Sequence, residues 1–151
     1  MRLGLDLRAT ESGFKAHFGR GTWRYVSKLV EALDELSAKD ISIQKLYRKE
    51  LSAKGYQEKL LKLAPFGKLT LEGQLFLPGI LKKLPLDAVH FFAHVDAPAF
   101  GSAKKNLSVL DLIPLIFKDI YIKKGEAWRF HLARAFEKQA IKNAHGIITI
   151  S

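Results

Sequence analysis

Residues 1–8 have the sequence MRLGLDLR, and this stretch decides the fold class. Leu3, Leu5 and Leu7 recur with a period of two, which is the side-chain repeat of a β-strand. A loop with glycines at positions 13, 19 and 21 follows. An apolar stripe with helical spacing comes next, formed by Val26, Leu29, Val30, Leu33 and Leu36. A strand, a glycine-bearing loop and a helix are the opening unit of a doubly wound α/β domain, in which ligands bind beyond the carboxyl ends of the strands.

Downstream of this unit the chain alternates between strand-like and helix-like segments. The further predicted strands are 41–47, 60–64, 88–92, 107–112 and 147–150, and the predicted helices are 70–84 and 126–144. Residues 48–57 are predicted to form a loop, and Pro78 is expected to kink or split the first of these helices. The sequence therefore predicts a single α/β domain over 1–151. It is Rossmann-like, with a doubly wound, mostly parallel sheet and helices on both faces.

Two predictions concern the faces of the last helix and strand. The helix 126–144 is predicted to carry one apolar face formed by Trp128, Leu132, Ala135, Phe136 and Ala140, with Glu137 among the charged residues elsewhere on the helix. The strand 147–150 contains three isoleucines, and such β-branched runs are typical of strands buried inside a parallel sheet.

Composition excludes several classes of protein. The 151 residues include no cysteine, which excludes disulfides and thiolate metal sites and fits a reducing compartment. No apolar run reaches the roughly 18–20 residues of a membrane span. Asp6, Arg8 and Glu11 interrupt any signal-peptide core near the N-terminus, so a cytoplasmic location is expected.

The net charge is +10, and much of it lies between positions 39 and 83, with ten Lys and Arg residues against four acidic ones. A basic face of this kind suits an anionic membrane surface. The alternative is an ordinary solvated, lysine-rich surface. No nucleic-acid partner is expected, because no recognised binding motif accompanies the charge.

The loop before the first helix contains GRGTWR at 19–24. This matches the start of a dinucleotide-binding fingerprint, but Arg24 occupies the position of the third glycine and the loop is too long for the tight turn. No nicotinamide or flavin cofactor is therefore expected. Glycines here allow a backbone to approach a ligand closely, or they serve a loop that needs positive φ angles.

Charged residues at strand ends are the candidate site residues. Asp111 at the end of 107–112 is either a catalytic group at the mouth of the sheet or a helix cap or ion-pair partner. Asp6 and Arg8 are expected to be structural, with Arg24 folding back onto Asp6.

His90 and His94 are four residues apart, which suits a metal only on a helix, so no metal is expected. His94 and Asp96 are instead predicted to line the cleft.

Five segments, taken together and in order, resemble family 4 (group 1) glycosyltransferases. They are RLGLDLR (2–8), GTWRYV (21–26), DAVHF (87–91), SVLDLIPL (108–115) and AHGIITIS (144–151). The family opens with a similar strand and a Gly-Ile-Gly-Arg-Tyr loop and helix. Its central segments include Val-Thr-x-His-Asp-Leu-x-Pro and Ala-Asp-x-Ile-Ile-Thr-Val-Ser.

The resemblance implies a GT-B enzyme with two facing Rossmann-like halves that transfers a sugar from a nucleotide-sugar donor to a glycan or lipid acceptor. It implies a hexosyltransferase type of reaction without a metal or other cofactor. This chain would be the acceptor-side N-terminal half, incomplete for catalysis without the donor-binding C-terminal half. A lipid acceptor would place it at the inner face of the membrane. Gly21, Thr22, Arg24, His94 and Asp96 would bind substrate, and Asp111 would be catalytic.

Two departures from the family pattern support an alternative. Trp23 replaces the second glycine of the loop, and Leu110 replaces the His that precedes the Asp. A non-catalytic binding or regulatory module that kept the fold and lost the site would show such changes. We expect Leu110 to face the cleft, because the corresponding family position is a site residue.

Overall fold

The computed structural model describes residues 1–15, 17–36, 40–55, 59, 68–117 and 127–149. The strands are β1 (Arg2–Asp6), β2 (Ser42–Leu46), β3 (Ala88–Phe91), β4 (Lys105–Val109) and β5 (Gly146–Thr149). The α-helices are α1 (Gly21–Glu35), α2 (Arg48–Leu51), α3 (Lys68–Leu71), α4 (Leu77–Lys83), α5 (Ile113–Ile116) and α6 (Ala127–Lys142). Single 3₁₀ turns lie at Arg8–Thr10 and His94–Asp96. The strand predicted at 60–64 lies outside the described residues.

The five strands form one parallel sheet in the order β2-β1-β3-β4-β5. The chain runs outward from β1 to β2 and then returns to the other side of β1 to form β3. The carboxyl ends of β1 and β3 therefore diverge at a topological switch point, which is where open α/β sheets bind ligands. The predicted parallel sheet is confirmed. Its strand order places the expected ligand-binding cleft at the carboxyl ends of β1 and β3.

Side chains alternate between two apolar layers, one on each face of the sheet. Leu5 and Leu7 of the first strand pack with Val26 of α1 and with Phe92. On the opposite face, Phe91 and Leu107 pack in a second cluster, which also contains Leu46, Leu51, Leu77, Leu81, Val89, Ala97 and Ala140. Because α1 covers one layer while α4 and α6 cover the other, the predicted placement of helices on both faces is confirmed.

The predicted kink at Pro78 takes the form of a π-helical turn. The π segment Glu72–Phe76 lies between α3 and α4, and the N–H of Leu77 donates to the carbonyl of Glu72, five residues earlier. Pro78 is in the first turn of α4, where its missing N–H is tolerated. The helix therefore adapts to the proline by widening one turn before it.

One local prediction is wrong, and the burial of α6 does not follow its apolar pattern. Residues 48–51 form α2 instead of a loop, because the Glu50 carboxylate accepts the N–H of Tyr47 and closes a capping box. On α6, Trp128 is 63% and Leu132 is 44% exposed. The face of α6 turned toward the sheet carries Ala140 and, unexpectedly, Glu137.

The burial prediction for 147–150 is also wrong for the part that the structure describes. β5 pairs with β4 at the edge of the sheet. Ile147 and Ile148 are each 50% exposed. Apolar composition indicated strand structure correctly, but burial depends on having neighbours on both sides, and composition carries no information about that.

Candidate functional site

A cleft opens where β4, α1 and the turn after β3 meet. One cavity of about 380 Å³ is lined by Gly21, Thr22, Tyr25, Leu110 and Asp111. A second cavity of about 120 Å³ is lined by His17, Thr22, Ala93, His94, Val95, Leu110, Asp111 and Glu137. The two cavities share three lining residues and therefore adjoin. We call both together the cleft. Four predicted site residues, Gly21, Thr22, His94 and Asp111, lie in its lining.

Leu110 also lies in the lining of both cavities, as expected. The predicted strand 107–112 ends earlier, at Val109. Leu110 thus follows the last residue paired in the sheet and is only partly buried. An apolar wall stands at the position where the resembled family has histidine.

Asp111 is exposed, and its Oδ1 accepts a hydrogen bond of 3.2 Å from the N–H of Ile113 at the start of α5. The helix-cap interpretation is therefore supported. The carboxylate nonetheless forms part of the cleft wall. Asp111 can cap α5 and accept hydrogen bonds from a ligand at the same time, because a carboxylate has several lone-pair sites.

Arg24 is exposed in the first turn of α1 and is not in the lining of the cleft. Its predicted ion pair with Asp6 is wrong. Asp6 is bound instead by Arg8, whose Nε and Nη2 each donate to a carboxylate oxygen at 2.8 Å. The interpretation of Asp6 and Arg8 as structural is supported, since both side chains are buried and satisfy each other.

Asp96 lies behind the cleft as the centre of a buried ion cluster. Lys15 donates to its Oδ1, and His17 Nε2 lies 3.0 Å from its Oδ2. Arg8 Nη2 donates to the backbone carbonyl of the same residue at 3.1 Å. Burial by itself raises the pKa of Asp96, but the charge of Lys15, the contact with His17 and the charge of Arg8 together hold it below its usual range. Asp96 thus ties the loop after β1 to the turn after β3.

The backbone of this loop is unusual at Lys15. Its φ of 48° is in the left-handed region, which non-glycine residues rarely adopt. Gly13 and Gly19 have φ angles of 79° and 73°, so the expectation that the loop needs positive φ holds for these two glycines. The strained position of Lys15 is held by its bonds to Asp96 and to the carbonyl of Val95.

A second buried cluster links α6 to the turn after β3. His94 Nε2 lies 2.5 Å from Glu137 Oε1, and Arg134 Nη1 lies 2.5 Å from Glu137 Oε2. Sequence reasoning missed Glu137, because a charged residue on a helix is usually solvated. One signal was available. Ala133, Glu137, Ala140 and Ala144 are spaced by four, three and four, so small residues surround the glutamate on one helical face.

Two side chains, those of Lys105 and Gln74, hold the connection from β3 to β4 in place by hydrogen bonds to its backbone. The Nζ of Lys105 donates to the carbonyl of Pro98 at 2.9 Å. Gln74, in the π segment, receives the N–H of Ala99 at 2.7 Å and donates to the carbonyl of Ala97 at 3.3 Å. These bonds fix the backbone that follows His94, so His94 is presented to the cleft by a rigid turn.

A polar chain runs from the cleft into the layer beneath α1. Tyr25 OH lies 3.1 Å from Ser108 Oγ, which lies 2.9 Å from His90 Nε2. Burial lowers the pKa of His90, and the charge of Asp6 opposes this only in part. The neutral ring, packed edge-on against Phe92, is therefore the form that folding favours.

This lowered pKa predicts a loss of stability in mild acid. The unfolded chain takes up a proton near pH 6.5, whereas folded His90 resists it, so the free energy of unfolding should fall as the pH drops from about 6.5 toward the folded pKa. His90→Gln should flatten this dependence by up to about 1.4 kcal/mol per pH unit. Urea unfolding at several pH values between 5 and 7.5 measures it. His131→Gln, at an exposed position on α6, is the control. An equal slope in wild type and His90→Gln would contradict the prediction.

Two further properties concern the described residues alone. They contain no group of three or more His, Cys, Asp or Glu side chains placed to hold a metal ion. None of their helices combines the length and apolar character that crossing a membrane requires. Comparison of the chain with protein-family models, curated proteins and solved structures finds no match.

Proposed function

We propose that this chain is the acceptor-side domain of a glycosyltransferase of the two-domain GT-B type, which moves a sugar from a nucleotide-sugar donor to a glycan or lipid acceptor. One observation carries the proposal. Gly21 and Thr22, His94, and Asp111 come from three distant parts of the sequence and line one cleft beside the switch point of a parallel sheet. Residues of two segments that carry the resemblance, 21–26 and 108–115, line this cleft.

The polar groups of the cleft suit a ligand rich in hydroxyl groups. Asp111 offers carboxylate oxygens, Thr22 a hydroxyl and His94 an imidazole. Gly21 and Thr22 also form the first turn of the 15-residue helix α1, whose free N–H groups favour an anion such as a phosphate. Leu110 supplies an apolar surface for the C–H face of a sugar ring. The proposed reaction needs no metal and no other cofactor from this domain.

Two observations favour a non-catalytic binding module as the second candidate. Leu110 cannot exchange protons or donate hydrogen bonds, although it stands beside Asp111 in the cleft. Trp23 packs edge-on against Phe18 with ring centroids 5.8 Å apart, where the resembled family has a glycine. A module of this kind would bind a carbohydrate through the same cleft without transferring sugar.

The deciding experiment is an assay of the protein expressed from the complete open reading frame that encodes this chain. We expect consumption of one nucleotide sugar among a panel of UDP-, GDP- and ADP-sugars when an acceptor is present, with loss of activity in Asp111→Asn. Glu31→Gln, on the exposed side of α1, is a matched control. Carbohydrate binding without turnover of any donor would favour the non-catalytic module.

Leu110→His should be nearly neutral for stability. The side chain lies in the cleft wall and not in either apolar cluster, so a polar ring there keeps contact with water. We expect the thermal midpoint to change by less than about 2 °C, which for a domain of this size is under about 1 kcal/mol. A drop of several degrees in differential scanning calorimetry would place Leu110 in the core instead. If the chain is part of a working enzyme, the variant should retain or gain transfer.

We also propose that the basic surface binds anionic membranes, as a lipid acceptor would require. Its predicted members are Lys45, Arg48, Lys49, Lys54, Lys59 and Lys62, the last of which lies outside the described residues. Lys45 is already paired with Asp34 at 2.7 Å, so it contributes little. The others should each add about 1 kcal/mol near an anionic surface. We expect co-sedimentation with vesicles containing phosphatidylserine at low salt, lost at high salt. Absence of binding at low salt would leave an ordinary solvated surface.

A further inference from the structure

Two imidazoles line the smaller cavity of the cleft, and each is oriented by a buried carboxylate. His94 Nε2 lies 2.5 Å from Glu137 Oε1, and His17 Nε2 lies 3.0 Å from Asp96 Oδ2. The side chains of both acids are 3% exposed. A carboxylate only accepts hydrogen bonds, so the Nε2 of His94, which is hydrogen-bonded to Glu137, carries the proton. The Nε2 of His17 faces Asp96 without hydrogen-bond geometry, so the negative charge of the carboxylate alone favours a proton on that nitrogen. In the neutral rings, Nδ1 is therefore the unprotonated nitrogen.

These Nδ1 atoms are available to a ligand. Neither has a hydrogen-bond partner among the described residues. Both rings line the same 120 Å³ cavity, together with Thr22 and Asp111. Most of the polar side chains of this cavity thus present hydrogen-bond acceptors.

We propose that His94 and His17 accept hydrogen bonds from neighbouring hydroxyl groups of a carbohydrate, and that Glu137 is the positioning residue that sets the tautomer of His94. This inference rests on the proposed function and specifies its acceptor subsite. Hydroxyl groups supply donors for these acceptors, and Leu110 covers the apolar side of the ring. The volume admits one end of a ligand, while the adjoining 380 Å³ cavity takes the remainder.

Arg134 makes the role of Glu137 testable. Its Nη1 lies 2.5 Å from Oε2 in an ion pair without hydrogen-bond geometry, so the charge of Arg134 favours an oxygen over an NH₂ group at that position. In Glu137→Gln the carbonyl oxygen therefore turns toward Arg134, and the amide NH₂ turns toward His94 Nε2. A donor there forces the imidazole proton onto Nδ1, which changes the ligand-facing nitrogen from an acceptor into a donor. The double variant Glu137→Gln/Arg134→Met removes the positive charge of Arg134. The amide of Gln can then rotate so that its carbonyl oxygen faces His94 Nε2 again.

The experiment is nitrogen NMR of the full chain with ¹⁵N-labelled histidine, titrated with methyl glycosides of glucose, galactose and mannose. We expect the Nε2–H tautomer of His94 in wild type and a shift of its Nδ1 resonance with at least one glycoside. Glu137→Gln should show the Nδ1–H tautomer and bind that glycoside about tenfold more weakly. The double variant should recover both properties, and Glu31→Gln should behave as wild type.

Three outcomes overturn the inference. They are an Nδ1–H tautomer in wild type, unchanged glycoside affinity in Glu137→Gln despite a changed tautomer, and a response of His94 to ethanolamine but to no glycoside. None of these readings depends on turnover. The tautomer and glycoside results could agree with the inference while the complete protein consumes no nucleotide sugar. In that case the carbohydrate subsite is supported and the proposed glycosyltransferase activity is contradicted.

Discussion

Asp96→Asn is expected to lower the free energy of unfolding by about 3 kcal/mol, because it breaks a buried ion pair while leaving its partners in place. The amide keeps the shape of the carboxylate but loses the charge that faces Lys15, His17 and Arg8. The loss is at the lower end of the range for such pairs, since the side chain of Lys15 is 27% exposed and can turn to water. For a domain of this size, the thermal midpoint should drop by about 6–12 °C.

The same carboxylate predicts how the free energy of unfolding decreases in acid. Because the folded pKa of Asp96 is lowered, its contribution is fully present above the ordinary value of about 4 and is lost as the pH falls toward the folded value. Denaturant unfolding of wild type and Asp96→Asn between pH 2.5 and 7 should therefore converge in acid. Asp34→Asn, which removes an exposed pair with Lys45, should cost no more than about 1 kcal/mol. Equal stability of Asp96→Asn and wild type at pH 7 would contradict the account of the cluster.

Thr22→Trp is expected to abolish binding in the cleft with little change in stability. Thr22 is the residue of α1 that lines both cavities, so an indole at this position occupies the junction between them. The residue is in the first turn of the helix and is partly exposed, and threonine and tryptophan have similar helix propensities. We expect methyl glycoside binding to become undetectable, while the thermal midpoint moves by less than about 2 °C.

Lys28→Trp is the matched control for this variant, because it places the same indole on the exposed side of the same helix. It should bind glycosides as wild type does. Unchanged binding in Thr22→Trp would show that the ligand site lies elsewhere.

The fold could be predicted because local patterns and topology agree. The period-two leucines of 1–8 predicted β1, and the stripe from Val26 to Leu36 predicted α1. A parallel sheet needs helical crossovers, and because strands are added on both sides of β1, right-handed crossovers place helices on both faces. What the pattern could not reveal was position within the sheet. Ile147 and Ile148 are in a strand as predicted, yet they are half exposed because β5 is at the edge.

The candidate site was predictable to the extent that it follows from strand ends. Gly21, Thr22, His94 and Asp111 follow β1, β3 or β4, and parallel strands bring their carboxyl ends to one edge. Ion-pair partners were not predictable in this way. Arg24 was expected on Asp6, but Arg8 is nearer along the chain and binds both carboxylate oxygens. Glu137 was missed because its burial depends on His94 and Arg134, and His94 is 43 positions away in sequence.

The most direct test of the central claim, that this cleft is a carbohydrate site, is amide NMR mapping of the ¹⁵N-labelled chain with methyl glycosides. The account predicts that the largest shifts fall on Thr22, His94, Leu110 and Asp111 and disappear in Thr22→Trp. Largest shifts on the basic surface around Lys45 to Lys54, or no shifts with any glycoside, would contradict it.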